Sequence, residues 1–211
     1  MPVHIDVWSD FVCPFCFLVI STLEKLREDY DVGIRWRSFL LRPPGRPPLS
    51  TEGRGMIEAE YRHVQQLART QYGLELRPGP IGIHTLTAHI AVKYAESHTK
   101  GDLFHSAVMN AYWQEARPID DKEVLKSIAT QVGLNGEGLA TAWKDSTFAA
   151  AVKADIHLAA AYGIHSVPTL IFNEKYPVIG AQPYQVLKRV MDNIQKEGSS
   201  NNTKDSGGKS K

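Results

Sequence analysis

Cysteine is almost missing from this chain: there are two in 211 residues, Cys13 and Cys16. A structural zinc site wants four N/S ligands, and no second Cys pair exists to supply them. No His-Glu-x-x-His or close His pair completes such a site either, because His84 and His89 stand at i,i+5, off a common helical face. Long apolar runs are missing as well; none approaches the ~18 residues that cross a bilayer. An excess of one charge is also missing. Lys and Arg number 24 against 23 Asp and Glu, so a formal net charge of +1 gives no case for nucleic acid or a membrane surface as partner. The opening Met1-Pro2-Val3-His4-Ile5-Asp6 lacks the basic and long apolar regions of a secretory signal, which leads to the expectation of a cytoplasmic location. In that compartment a lone Cys pair reads as catalytic rather than structural.

What remains is ordinary globular composition, 43% hydrophobic and 22% charged. That suits one large domain, or a domain carrying an insertion, with a substantial core. Both cysteines fall in Asp10-Phe11-Val12-Cys13-Pro14-Phe15-Cys16-Phe17. This stretch lies between an alternating β-like run (Val3, Ile5, Val7) and a helix-like run to Tyr30. A thiol where a strand hands over to a helix faces the helix's unpaired N–H groups, and these with the helix dipole favour a thiolate. Pro14 suits the first helical turn, where a missing N–H costs nothing. The leading reading is a strand–Cys-x-x-Cys–helix redox motif. Half of a metal site and two inertly packed thiols are the alternatives.

In chain order, Val3 to Trp8 reads as a strand, Pro14 to about Glu28 as a helix, Asp31 to Gly33 as a turn and Ile34 to Leu41 as a second strand. A β-α-β unit of this length favours a parallel pair. Arg42-Pro43-Pro44-Gly45-Arg46-Pro47-Pro48-Leu49 is too rich in proline for helix or central strand, and reads as a stiff connector rather than a peptide ligand. From Met56 to Gly163 the pattern is helical. It predicts helices over 56–72, 85–98, 103–115, 122–132 and 138–144, and one from Ser146 or Thr147 toward Gly163, with stops at Gly73 and Gly133. Ser166 to Phe172 and Tyr176 to Gly180 then read as an antiparallel hairpin, and Gln182-Pro183-Tyr184 opens a helix to about Lys196. Residues 198–211 hold no apolar side chain and read as a disordered tail.

The order β-α-β, helical block, Val-Pro-Thr, two strands and a helix, with Cys-Pro-Phe-Cys at the first helix, resembles the thioredoxin fold of the DsbA superfamily. It looks closest to that superfamily's FrnE-like branch. The segments that carry the likeness are Ser9 to Cys16, Phe39-Leu40-Leu41-Arg42-Pro43, Ala111-Tyr112-Trp113-Gln114-Glu115, Ala161 to Thr169, and Gly180-Ala181-Gln182-Pro183. The resemblance implies an α/β fold: a central mixed sheet with a large all-helical insertion between the second strand and the proline-led third. The thioredoxin-like part is then 1–50 plus 164–197, and the inserted helical part is 51–163.

By the same resemblance Pro168 is expected to be cis and to face the Cys pair, leaving the Val167 backbone free to pair with an extended peptide. Cys13 is the expected attacking thiol and Cys16 its resolving partner, through a mixed disulfide with protein or small-molecule thiols and disulfides. No metal and no cofactor beyond this redox pair is expected, glutathione serving as a candidate co-substrate. Pro14 and Phe15 are candidate tuning residues. Phe15 stands where strongly oxidising DsbA proteins place a histidine, which implies a less oxidising couple here. Many relatives keep a buried carboxylate six residues before the first cysteine, a position that is Val7 in this chain. Asp10 and His165 are the candidate proton-handling groups. Asp10 also suits an N-cap or turn, and His165 a solvated loop.

The runner-up reading resembles the glutathione-dependent 2-hydroxychromene-2-carboxylate isomerase and kappa-class transferase group. Those proteins usually present a single serine or cysteine nucleophile, so Cys16 speaks against it. A third reading is a redox-sensing or peptide-binding module.

Overall fold

The computed structural model describes residues 2–205, with side-chain surroundings over 2–197. Strand β1, Val3–Ser9, alternates side chains to two faces; its Val3, Ile5 and Val7 pack on one and Trp8 on the other. Helix α1, Pro14–Asp29, returns the chain, and strand β2, Val32–Ser38, lies parallel to β1 as the β-α-β spacing predicts. β2 starts earlier and stops earlier than its apolar pattern indicates. Val32 and Gly33 already pair with Val3 and His4, while Leu41 is drawn out of the sheet by a bond to Asp10.

The proline-rich connector leads to α2, Thr51–Leu67, capped by the Ser50 hydroxyl and prolonged by a π-helical turn, Ala68–Tyr72. Gly73 ends that turn in the left-handed conformation (φ 65°), which a side chain would disfavour. Four α-helices follow: α3 (Leu86–Ser97), α4 (Gly101–Trp113), α5 (Lys122–Gln131) and α6 (Gly136–Ala142). A long α7 (Ser146–Ala161) leads back toward the sheet. Side-chain caps at Asp121, Asn135 and Asp145 set the starts of the last three.

β3 (Thr169–Phe172) and β4 (Tyr176–Ile179) form the antiparallel hairpin, giving a mixed sheet in the order β2-β1-β3-β4. α8 spans Tyr184–Asp205, past the end at Lys196 that its apolar stripe indicates. The remainder of the expected tail, 206–211, lies outside the described residues. α1 and α8 cover one sheet face over Val3, Ile5, Val7, Leu170 and Phe172, and α7 packs on the other over Trp8 and Ile171. The larger core belongs to the helical block, and Phe11, Cys13, Cys16 and Leu18 are part of it. Among the described residues no helix is long and apolar enough to cross a membrane.

Candidate active site

β1 delivers the site. Beyond Ser9 the chain turns, the Cys13 N–H donating to the Asp10 carbonyl at 3.1 Å. Cys13 is then the N-cap of α1, with extended backbone (φ −89°, ψ 116°) and no side-chain cap bond, and Pro14 is the first helical residue. The Cys13 carbonyl accepts from Cys16 N (3.1 Å) and Phe17 N (3.3 Å), so the two thiols stand one turn apart at the mouth of the helix. Both are free. Cys13 is 5% exposed and Cys16 0%, which makes Cys13 the sulfur nearer an incoming partner.

Burial pushes the Cys16 thiol well above the usual thiol value, and a hydrogen bond with Cys13 and the charge of its thiolate push the same way. A backbone hydrogen bond from Asp10 and the Ser9 hydroxyl pull it down without offsetting the rise.

The strand register brings the second half of the site into place. Thr169, first residue of β3, pairs with Trp8 near the end of β1, so the residues preceding β3 lie beside those following β1. There the Cys13 thiol donates to the Val167 carbonyl at 3.4 Å. The Val167–Pro168 bond is cis; Pro168 is buried and Val167 half-buried. Thr169 Oγ1 closes the loop by donating to the Ser166 carbonyl at 2.7 Å.

The helical block walls the site. From α2, the Tyr61 hydroxyl donates to the Val12 carbonyl (3.4 Å) and meets the Tyr112 hydroxyl of α4 (3.1 Å); the latter also donates to Pro80 O (3.2 Å). Burial raises both phenols above their ordinary value, so they remain neutral hydrogen-bonding groups. Trp113 Nε1 donates to the Phe11 carbonyl at 2.8 Å, and its ring lies edge-on to Tyr61 and stacks toward Phe17.

Of the two places expected for Asp10, N-cap or turn, it takes the turn, its carbonyl accepting from Cys13 N. Cys13 holds the N-cap, and the Asp10 carboxylate is wholly buried, with Oδ2 accepting from Leu41 N at 2.7 Å. Its Oδ1 lies 3.5 Å from Nε2 of His89, on α3. Pro14 is buried, Phe15 half-buried, and His165 exposed on the loop before β3. His84 is also exposed, with Nδ1 3.5 Å from Arg42 O. Val7 is fully buried among apolar side chains.

The structure thus brings Cys13, Cys16 and Val167 together, with Pro168 next to Val167 in the chain. Tyr61 and Trp113, contacts of the Cys-bearing turn, and His89, Asp10's neighbour, are not among the site residues the sequence singles out. Trp113 lies in a segment that carried the resemblance, whereas Tyr61 and His89 had no signal beyond their helical stripes.

A mixed sheet whose first strand hands a Cys-Pro-Phe-Cys segment to a helix, with a prolyl loop across from the first sulfur, defines a thioredoxin-fold dithiol protein. The chain belongs to the DSBA-like thioredoxin domain family, whose model matches residues 4–192. It is 28% identical over 200 residues to the uncharacterized protein YwbO of Bacillus subtilis (strain 168), covering 93% of this chain and 100% of that one. A probable DsbA oxidoreductase of Streptomyces coelicolor superposes with a TM-score of 0.77 at 25% identity, over 92% of this chain and 91% of that one. Two more distant structures share the fold. One is a 2-hydroxychromene-2-carboxylate isomerase (TM-score 0.78, 19% identity, 93% and 98% covered). The other is the cytosolic disulfide reductase DsbM of Pseudomonas aeruginosa (0.70, 17%, 90% and 99%), for which a structure with GSH also matches.

Proposed function

We propose that this protein is a thiol–disulfide oxidoreductase working through Cys13 and Cys16. The observation that carries the reading is the Cys13 thiol at the helix N-terminus, 3.4 Å from the Val167 carbonyl, with Cys16 one turn behind it. Unpaired N–H groups at a helix start attract negative charge, as an attacking sulfur requires. The Cys13 thiolate attacks a substrate disulfide; a Cys13–substrate S–S bond forms as the original one breaks, and its electron pair departs on the other substrate sulfur. Cys16 then attacks the Cys13 sulfur, closing Cys13–Cys16 and releasing the second substrate thiol. Two electrons pass from protein to substrate, and the reverse sequence oxidises a dithiol.

In this reading the sulfur pair is the only redox group, and Val167 and Pro168 lie along the path of an extended substrate backbone. Protein disulfides and glutathione are the substrate classes, the latter supported by the glutathione complex of a structural neighbour. A cytoplasmic site of action and membership of the FrnE-like branch belong to the same proposal. The family shared with disulfide oxidoreductases supports it. The isomerase reading rests on fold likeness and has no use for a second thiol.

Cys16→Ser separates the two. In an oxidoreductase this variant accumulates a mixed disulfide on Cys13, visible by intact mass under non-reducing conditions, and loses turnover with a dithiol substrate. In an isomerase it leaves turnover intact and traps nothing.

A further inference from the structure

At the opposite end of β1 from Cys13 the sheet carries a cavity of about 410 Å³. His4 and Asp6 of β1, Gly33 and Arg35 of β2, and Asn173 and Glu174 of the turn between β3 and β4 line it. Its size is that of a small-molecule site. Across the parallel register His4 stands beside Gly33 and Asp6 beside Arg35, so these four positions share one sheet face. α7 covers that face farther along, over Trp8 and Ile171, and His4 and Arg35 stay exposed. Gly33 makes room for the His4 ring, since a Cβ there would stand 3.1 Å from Nδ1. Asn173 fixes the third wall. Its Oδ1 accepts from His4 N at 2.9 Å, and its own N–H donates to the His4 carbonyl at 2.8 Å.

Asp6 is neutralised within the protein, its Oδ1 accepting from Arg37 Nε at 2.7 Å. That leaves two full charges on the wall, Arg35 and Glu174, and among the described residues neither has an ion-pair partner. β1 lies between their strands in the order β2-β1-β3, so two interstrand spacings hold their backbones roughly 10 Å apart. The Glu174 backbone is a second, independent sign. Asn173 and Glu174 both have positive φ (47° and 57°), in a turn whose second central place usually goes to glycine. Asn173 is held there by its bonds to His4. Glu174 has no such bond, and a left-handed residue without a local reason points to use of its side chain. We infer that this cavity binds a short peptide with both termini free, its carboxylate at Arg35 and its ammonium at Glu174. An extended chain covers at most about 3.3–3.6 Å per residue, so three residues bridge the two charges. The Arg35 guanidinium can take a carboxylate through two parallel bonds. A ligand of one sign would leave one of the charges unmatched. The site stands apart from the sulfur chemistry, and neither depends on the other.

The test follows amide chemical shifts of the isotope-labelled full-length protein during titration with trialanine. Saturable shifts are expected at His4, Gly33, Arg35 and Glu174. N-acetyl-trialanine lacks the ammonium and trialanine amide lacks the carboxylate. Each is expected to bind about 10-fold more weakly, the scale of one charge-assisted hydrogen bond. Arg35→Gln weakens trialanine by the same factor and makes the amide its equal, and Glu174→Gln does so for the acetylated form. Both side chains are exposed, so neither change threatens the fold. The Cys13→Ser/Cys16→Ser double variant binds trialanine as the wild type does. Three outcomes overturn the inference and leave the oxidoreductase reading untouched: no saturable shift up to about 10 mM, equal affinity for all three probes, or variants that keep the wild-type discrimination. Binding lost in the double cysteine variant overturns it as well, because the peptide would then sit at the thiols.

Discussion

At Phe15 the segment between the sulfurs carries a half-buried apolar ring where strongly oxidising DsbA proteins carry histidine. An apolar ring offers a Cys13 thiolate no stabilising partner, so the reduced form is expected to gain less and the disulfide to be the weaker oxidant. The expected potential, measured by equilibration with glutathione, lies well below the roughly −120 mV of DsbA, and Phe15→His raises it. A wild-type value as high as DsbA's would refute this. Cys16 makes a second expectation. Its folded-state value is raised, so the native state keeps a proton that the unfolded chain releases near the ordinary thiol value of 9.0. That contribution to stability is whole below pH 9 and is lost as pH climbs beyond it, at a slope of at most about 1.4 kcal/mol per pH unit. Urea midpoints of the reduced protein should therefore fall between pH 8 and pH 10, and Cys16→Ala should flatten the fall. Cys13 and Cys16 were legible because their residue type and spacing are themselves the signal, whereas Pro168 was indicated by the family resemblance. His89 was not, because a histidine on an apolar helix stripe looks like any packed histidine until the chain brings a carboxylate to it.

Among the elements, α7 is tied to the sheet by charge. Asp155, buried on that helix, takes Arg37 at 2.9 Å, Lys93 at 2.8 Å and the Ser38 N–H at 3.0 Å. Its carbonyl accepts from Trp8 Nε1 at 3.0 Å. One side chain thereby joins β2, α3 and α7 where the proline-rich connector departs. Arg37 keeps Asp6 at 2.7 Å and Lys93 keeps Glu96 at 3.0 Å when Asp155 is lost, so Asp155→Ala strands chiefly the Ser38 N–H and is expected to cost about 1–3 kcal/mol. Guanidinium unfolding would measure it, and a loss below about 0.5 kcal/mol would show that the Ser38 N–H finds another acceptor. Helix existence was readable from apolar stripes where a helix buries one face, as α5 does with Leu125, Ile128 and Ala129. Element ends were set by bonds that no stripe records. The Leu41 N–H leaves the sheet for the Asp10 carboxylate, and a π-helical turn completes the run to Tyr72.

Over the whole molecule, the sheet brings both thiols to one corner while the helices between β2 and β3 roof that corner with Tyr61, His89, Tyr112 and Trp113. The β-α-β and hairpin halves could be read from local pattern alone. Which faces of the helices meet the sulfurs could not, since that depends on packing across long separations in sequence. The four tryptophans are distributed among different surroundings. Trp8 bonds to α7, Trp36 to Asp102 and Trp143 to the Thr87 carbonyl, whereas Trp113 alone bonds to the Cys-bearing turn, through Phe11. Reduced sulfur and a disulfide quench a neighbouring indole to different extents, so the molecule carries its own optical gauge. Its emission should step when the two thiols join, and Trp113→Phe should silence that step while the other three indoles continue to glow, allowing the sulfur chemistry to be timed without any added dye.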